Sequence, residues 1–265
     1  MFASSTSQTR YDGSVLPAPA PVPTDKDIRF RCGHSVALSN EYAVMGCPGF
    51  NVKDDSYVDN PGGAVVIHKI GFSSPIVITY DDDDAAEFGT SVSVNAAGIL
   101  AVGTKRGTVF LYDLKQSSDA PFRTLEDNQL FDPSFGFSVA LNDRDPPMLA
   151  VGAINQDSGS GSVFLWRNIN TDPEEISAPA AAKEKCDTAK GCQFGFSVAL
   201  FDQTLVVGSP HSQSNAGRAF VYDLDQENFE DKVQSLQNPP EDSFFGQSVA
   251  ITKGAVVVGS RKYGR

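Results

Sequence analysis

Phe194-Gly195-Phe196-Ser197-Val198-Ala199, then Val207-Gly208-Ser209-Pro210, then Gly217-Arg218-Ala219-Phe220-Val221-Tyr222: these three short stretches, read in order, decide the fold. The first has four further copies in the same register: Cys32-Gly33-His34-Ser35-Val36-Ala37, Phe88-Gly89-Thr90-Ser91-Val92-Ser93, Phe135-Gly136-Phe137-Ser138-Val139-Ala140 and Phe245-Gly246-Gln247-Ser248-Val249-Ala250. Successive copies lie about 50 residues apart, the period range of propeller and solenoid repeats. The second motif ends at Gly46, Gly103, Gly152, Gly208 and Gly259. The third occurs four times, opening at Gly63, Gly107, Gly161 and Gly217, and a weaker apolar stretch such as Pro75-Ile76-Val77-Ile78-Thr79 or Val233-Gln234-Ser235-Leu236 closes each unit.

Each motif has the length and the β-branched and aromatic content of a short strand, bounded by turn residues. Ser39-Asn40 in the first repeat and Lys253-Gly254 in the fifth are candidate two-residue hairpin loops. The third strand is apolar on both sides, since Val109 and Leu111 face one way and Phe110 and Tyr112 the other. Such a strand has to be covered on both faces. Four short strands per unit, each sheet sandwiched by its neighbours, predict the blades of an all-β propeller. Ser, Ala and Gly dominate the first strand and large aromatics the third, as expected where blades converge on an axis. Gly89 and its equivalents fit a tight turn or a close backbone approach, and the preceding Phe fits a wedge between blades. The one stretch with helical character is Ala180–Lys185.

The Phe-Gly-x-Ser-Val-Ala opening, Val151-Gly152-Ala153 with Val207-Gly208-Ser209-Pro210, and the Gly-x-Val-Phe-Leu-Tyr third motif resemble FG-GAP repeats. The resemblance runs from about residue 29 to the end and implies the β-propeller of integrin α chains and of FG-GAP surface proteins. It also implies an extracellular or cell-surface setting and a binding role. WD repeats would need a Trp-Asp, but the one tryptophan, Trp166, precedes Arg167, and the Gly-Gly of kelch repeats occurs only at Gly62-Gly63. Several integrin-type repeats bind calcium between the first two strands. Here only Asp143 and Asp145 alternate, too few oxygens for a hard cation, so no metal site is carried over and no cofactor is expected.

The formal charge is −12. Nucleic-acid binding through phosphates is disfavoured, as is an anionic membrane surface. No apolar run approaches the length of a membrane helix, and the first residues show no secretory h-region. Residues 1–28 read as a Pro-rich leader around Pro17–Pro23, and 29–265 as the repeat domain, with repeats starting near 32, 88, 135, 194 and 245.

Catalytic signals are absent from the sequence. His34, His68 and His211 fall in different strands or repeats, with no triad or metal-ligand spacing. Ser35, Ser91, Ser138, Ser197 and Ser248 recur in every repeat, which indicates structure rather than nucleophilic catalysis. Asp81–Asp84 reads as a solvated charge run, with a cation or basic-partner contact on one rim as the rival. A Ser39-Asn40 turn would set Cys32 opposite Cys47 at a hydrogen-bonded pair site, and Cys186 and Cys192 could close a local loop. Two local pairs point to an oxidising compartment, while no signal peptide or glycosylation sequon accompanies them, so bridging stays open. The long connections Pro48–Pro61 and Ala178–Gln193 are the candidate recognition loops.

The expected function is a non-catalytic module that binds a protein or glycan through loops on one face. The rivals are a polysaccharide-acting propeller enzyme and a structural module of a larger surface protein. Four repeats carry all three motifs and the fifth carries two. The expectation is an incomplete ring of seven blades, the alternative being that Tyr11–Leu16 completes the last blade.

Overall fold

The computed structural model describes residues 31–50, 62–80, 87–116, 120–126, 134–186, 190–236 and 241–261. The Pro-rich leader, Tyr11–Leu16, Asp81–Asp84, most of Pro48–Pro61 and Gly264-Arg265 lie outside them. The described chain is all-β, in five antiparallel sheets. Sheet 1 holds β1 (Ser35–Leu38), β2 (Tyr42–Cys47), β3 (Ala64–Lys69) and β4 (Ile76–Thr79). Sheet 2 holds β5 (Ser91–Val94), β6 (Ile99–Gly103), β7 (Thr108–Asp113) and β8 (Arg123–Glu126). Sheet 3 holds β9 (Phe135–Leu141), β10 (Leu149–Ala153), β11 (Ser162–Trp166) and β12 (Glu174–Ser177). Sheet 4 holds β13 (Ser197–Phe201), β14 (Thr204–Ser209), β15 (Arg218–Asp223) and β16 (Gln234–Leu236). Sheet 5 holds β17 (Ser248–Thr252) and β18 (Ala255–Gly259). Strands within each sheet follow chain order as a meander, and the first strand of each sheet packs beside the first strand of the next.

The two-faced third strands explain the stacking. Phe110 and Tyr112 of β7 pack toward Val44, Val65 and Ile67 of sheet 1. Val109 and Leu111 of the same strand pack toward Leu149, Val151 and Trp166 of sheet 3. Sheet 3 repeats this, with Val163 and Leu165 meeting Leu205, Val207, Phe220 and Tyr222 of sheet 4. The repeated phenylalanines fill the gaps between sheets. Phe88 and Phe194 are fully buried and Phe135 nearly so, each set edge-on to an aromatic ring of its own third strand. Removing such a ring costs about 3–5 kcal/mol.

A second device locks neighbours together. Ser35 Oγ donates to the Gly89 carbonyl at 2.8 Å, Ser91 Oγ to Gly136 at 2.7 Å, Ser138 Oγ to Gly195 at 2.7 Å and Ser197 Oγ to Gly246 at 2.8 Å. Each hydroxyl of one sheet thus holds the Gly turn that opens the next. Gly195 has a φ of +90°, which permits that turn. The second-motif glycine serves a different purpose: a Cβ on Gly152 would collide with the Gly195 carbonyl and with Ser138 Oγ.

Three expectations need correction. In sheet 1, Ser35 pairs with Gly46 and Leu38 with Ala43, so the two-residue turn is Asn40-Glu41 rather than Ser39-Asn40. Cys32 still meets Cys47 because the register shifts back at the Gly turn. In sheet 3, the same shift sets Phe135 opposite Ala153 directly after Ser138 pairs with Gly152. Cys32 and Cys47 occupy the places of Phe135 and Ala153, and a bulge, not a regular hydrogen-bonded pair, brings them together. Ala180–Lys185 forms hydrogen-bonded turns and no helix; Ala182 and Lys183 donate to the Pro179 carbonyl. The short helical turns lie instead at Gln156–Gly159, Ser212–Asn215 and Phe229–Lys232, and the first two contain left-handed residues at Asp157 and Ser158 and at Gln213 and Ser214.

Candidate functional site

Because each four-stranded sheet is a meander, its Gly turn, its second-to-third connection and its link to the neighbouring sheet share one end of the stack. The opposite end carries the first-to-second hairpins, where side chains tie neighbours together. Asn95 Nδ2 donates to the Asn142 carbonyl at 3.2 Å, and Asn142 Nδ2 donates to the Asp202 carbonyl at 2.9 Å. The Ala96 N–H donates to Asp143 Oδ1 at 2.7 Å. Asp143, one of the two alternating acids, is thus engaged by backbone. With the Asn142 side chain also bound to its own hairpin, the residues present do not form the oxygen cage a calcium ion needs. No group of three or more His, Cys, Asp or Glu able to hold a metal occurs among the described residues.

The Gly-turn end is chemically richer. Between sheets 1 and 2, Glu87 bridges two cations: Arg31 Nη1 lies 2.7 Å from Oε2 and Lys105 Nζ 2.7 Å from Oε1. The Arg31 guanidinium also sits 3.4 Å from both ring nitrogens of His34. Burial opposes ionisation of Glu87, but the hydrogen bonds from Lys105 and Arg31 outweigh it and hold the carboxyl below its usual range. Burial, then the Arg31 charge, pushes the His34 imidazole below its ordinary value. Arg31 and Glu87 occupy the same place in successive repeats, two residues before the glycine, both with positive φ.

Between sheets 3 and 4 the described parts of the Ala178–Gln193 connection, 178–186 and 190–193, are clamped to the sheets. Cys186 is bonded to Cys192, as Cys32 is to Cys47. Ser209 Oγ donates to the Cys192 carbonyl and Ser212 Oγ to the Ala182 carbonyl, both at 2.8 Å. The Gln213 and Ser214 N–H groups donate to the carbonyls of Glu184 and Lys185 at 3.0 and 2.7 Å. The left-handed turn of Ser212–Asn215 aims these amides at the loop. Two ion pairs complete the attachment: Lys183 with Asp157 at 2.9 Å, and Arg218 with Glu184 at 3.0 Å. The Arg218 side chain is buried, whereas Glu184 is 59 % exposed. The structure therefore joins one sequence-predicted loop to a rigid seat, while Pro48–Pro61 and Asp81–Asp84 fall largely or wholly outside the described residues.

The remaining candidates sit in packed or hydrogen-bonded positions. His68 is buried in β3 at the position of Tyr112, Trp166 and Tyr222. His211 bonds Asn215 through Nδ1 at 2.8 Å and packs edge-on to Phe244. Four of the recurring serine hydroxyls hold neighbouring glycine carbonyls. Sequence reading missed Arg31, Glu87, Lys105 and Arg218, and it also missed the half-buried Phe137–Phe196 pair, whose rings lie 4.9 Å apart in the variable slots of sheets 3 and 4. A signal was present for Glu87 and Arg31 in their shared offset from the repeated glycine.

Stacked four-stranded blades, opened by glycine turns and wedged by phenylalanines, define a blade-repeat protein. Residues 186–222 match the FG-GAP repeat family model, a span that includes the Phe194–Gly195 turn and β13 to Tyr222. The chain carries an FG-GAP repeat, in agreement with the motif resemblance. No curated protein matches the chain.

Proposed function

We propose that the chain is a non-catalytic, integrin-α-like β-propeller module that recognises an extracellular protein or glycan through its Gly-turn end. The observation that carries this reading is the seating on sheets 3 and 4 of the described parts of the Ala178–Gln193 loop, which Cys186–Cys192 ties together. Backbone and side-chain bonds from Ser209, Ser212, Gln213 and Ser214 hold it before any partner arrives. A pre-ordered loop on a stiff scaffold loses little entropy on binding. The FG-GAP match over 186–222 covers the second half of this loop and the strands beneath it. The exposed Glu184 and Lys183 and the neighbouring Phe137–Phe196 pair supply polar and aromatic contact groups of the kind interfaces use.

The test is a screen of the chain on immobilised extracellular proteins and glycans, followed by the Cys186→Ser/Cys192→Ser double variant against any binder found. The reading predicts a binder whose affinity falls at least about tenfold when the loop is released, equivalent to 1.4 kcal/mol. Binding unaffected by loop release, or none on either panel, would overturn it.

A further inference from the structure

The residue directly after the third-motif glycine is small and uncharged in three copies, Ala64, Thr108 and Ser162, but it is Arg218 in sheet 4. The Arg218 side chain is 7 % exposed, so a full positive charge lies where its equivalents carry none. A buried charge needs a counter-ion. Sheet 3 shows where one can stand within a sheet: Ser162 Oγ donates to Glu175 Oε1 on β12 at 2.8 Å, and Glu175 lies opposite Phe164. The matching residue of β16, opposite Phe220, is the uncharged Ser235, whose hydroxyl lies 3.4 Å from Arg218 Nη1. The carboxylate comes instead from the Ala178–Gln193 connection, as Glu184 Oε2 at 3.0 Å from Nη2. Arg218 Nε is buried and has no hydrogen-bond partner among the described residues. In a guanidinium the Nε–H and the adjacent Nη2–H point the same way and take the two oxygens of one carboxylate side by side. Glu184 thus fills half of a two-pronged fork, through a side chain that is 59 % exposed.

We propose that the Arg218 fork is a carboxylate subsite, that Glu184 is its internal stand-in, and that its ligand is an acidic side chain on a peptide segment of a partner protein. This rests on the reading of the Ala178–Gln193 loop as the recognition element. The loop backbone stays in place when the Glu184 side chain turns outward. Ser212 Oγ and the Gln213 and Ser214 N–H groups hold the carbonyls of Ala182, Glu184 and Lys185 independently of it. The guanidinium is not left bare, because one carboxylate replaces the other. The surroundings favour an anion: in a chain of net charge −12, residues 178–193 carry Lys183, Lys185 and Lys190 against Glu184 and Asp187. The choice of a peptide over an acidic sugar rests on the present occupant, a glutamate whose own backbone carbonyl is held by an amide of the same seat.

The test titrates N-acetylglutamate methylamide into the isotope-labelled whole chain at low salt while the Arg218 Nε–Hε resonance is followed by NMR. N-acetylglutamine methylamide and methyl glucuronide are the comparisons, and circular dichroism checks that Glu184→Gln folds. The capped glutamate is expected to move the resonance in the wild-type chain. In Glu184→Gln its midpoint is expected about threefold lower or more, since the fork is no longer partly occupied. The capped glutamine is expected to leave the resonance in place. No movement in either protein, equal midpoints in the two, or an equal response to the capped glutamine would overturn the inference. Tighter binding of methyl glucuronide than of the capped glutamate would overturn the peptide assignment. The titration needs no partner and keeps Cys186 bonded to Cys192, so its failure leaves loop recognition standing, and a blank panel screen is a separate failure.

Discussion

Sheets 3 and 5 open with the same Phe-Gly-x-Ser-Val-Ala motif and live in different surroundings. In sheet 3, Ser138 and Gly152 press on the Gly195 turn, Phe135 is buried, and β10 is buried along its whole length. In sheet 5, the equivalent Ser248 and Gly259 touch each other, Phe245 is half-buried, and β17 and β18 alternate exposed and half-buried residues. Identical motifs therefore make strands of unequal worth. In a stack of this kind stability resides in the interfaces between units as much as in the units.

The largest effect that sharpens this contrast is loss of a wedge. Phe194→Ala is expected to lower unfolding free energy by about 3–5 kcal/mol, and Phe245→Ala by clearly less, in denaturant titrations. Equal losses would break the comparison. Next, Gly152→Ala forces a methyl onto a backbone carbonyl that has little room to move, costing about 1–3 kcal/mol or more. Gly259→Ala meets the Ser248 hydroxyl, a side-chain end that can rotate away, rather than a backbone carbonyl of the next sheet, and should cost about 1 kcal/mol or less. Ser138→Ala leaves the Gly195 carbonyl without its donor at a cost of about 1–3 kcal/mol, whereas Ser248→Ala in dilute solution should be nearly silent.

The smallest effect concerns pH. The Glu87 carboxyl is lowered in the fold, so its contribution is present above the ordinary carboxylate range and is lost as pH falls through the lowered value. His34 is also lowered, so the fold disfavours its protonation and loses stability as pH drops below the ordinary imidazole value of about 6.5. Both act in the same direction. Thermal midpoints should fall on acidification in these two steps, and Glu87→Gln should flatten the lower one. An unchanged acid limb in that variant would separate Glu87 from the effect.

Much of the fold was legible because it rests on short-range pattern. The two-faced Val109–Tyr112 strand required cover on both sides, and the recurrence of Ser138 and its equivalents in every unit marked them as structural. The hairpin register of sheet 1 was not legible, since the bulge at Gly33 moves the turn while leaving Cys32 and Cys47 opposed. The left-handed residues Asp157, Ser158, Gln213 and Ser214 are not glycines, so no residue type at those positions marked their turns. The site was less legible than the fold. Arg31 meets Glu87 across two sheets, and the Ala178–Gln193 loop is held by amides from Gln213 and Ser214. Such contacts follow from how sheets stack, which no local spacing encodes.

Amide hydrogen exchange in dilute solution compares the two sheets most directly, since exchange rates report local opening. Amides of β9–β11 are expected to exchange only through global unfolding, while those of β17 and β18 exchange through local opening with much lower protection. Equal protection in sheets 3 and 5 would contradict that difference.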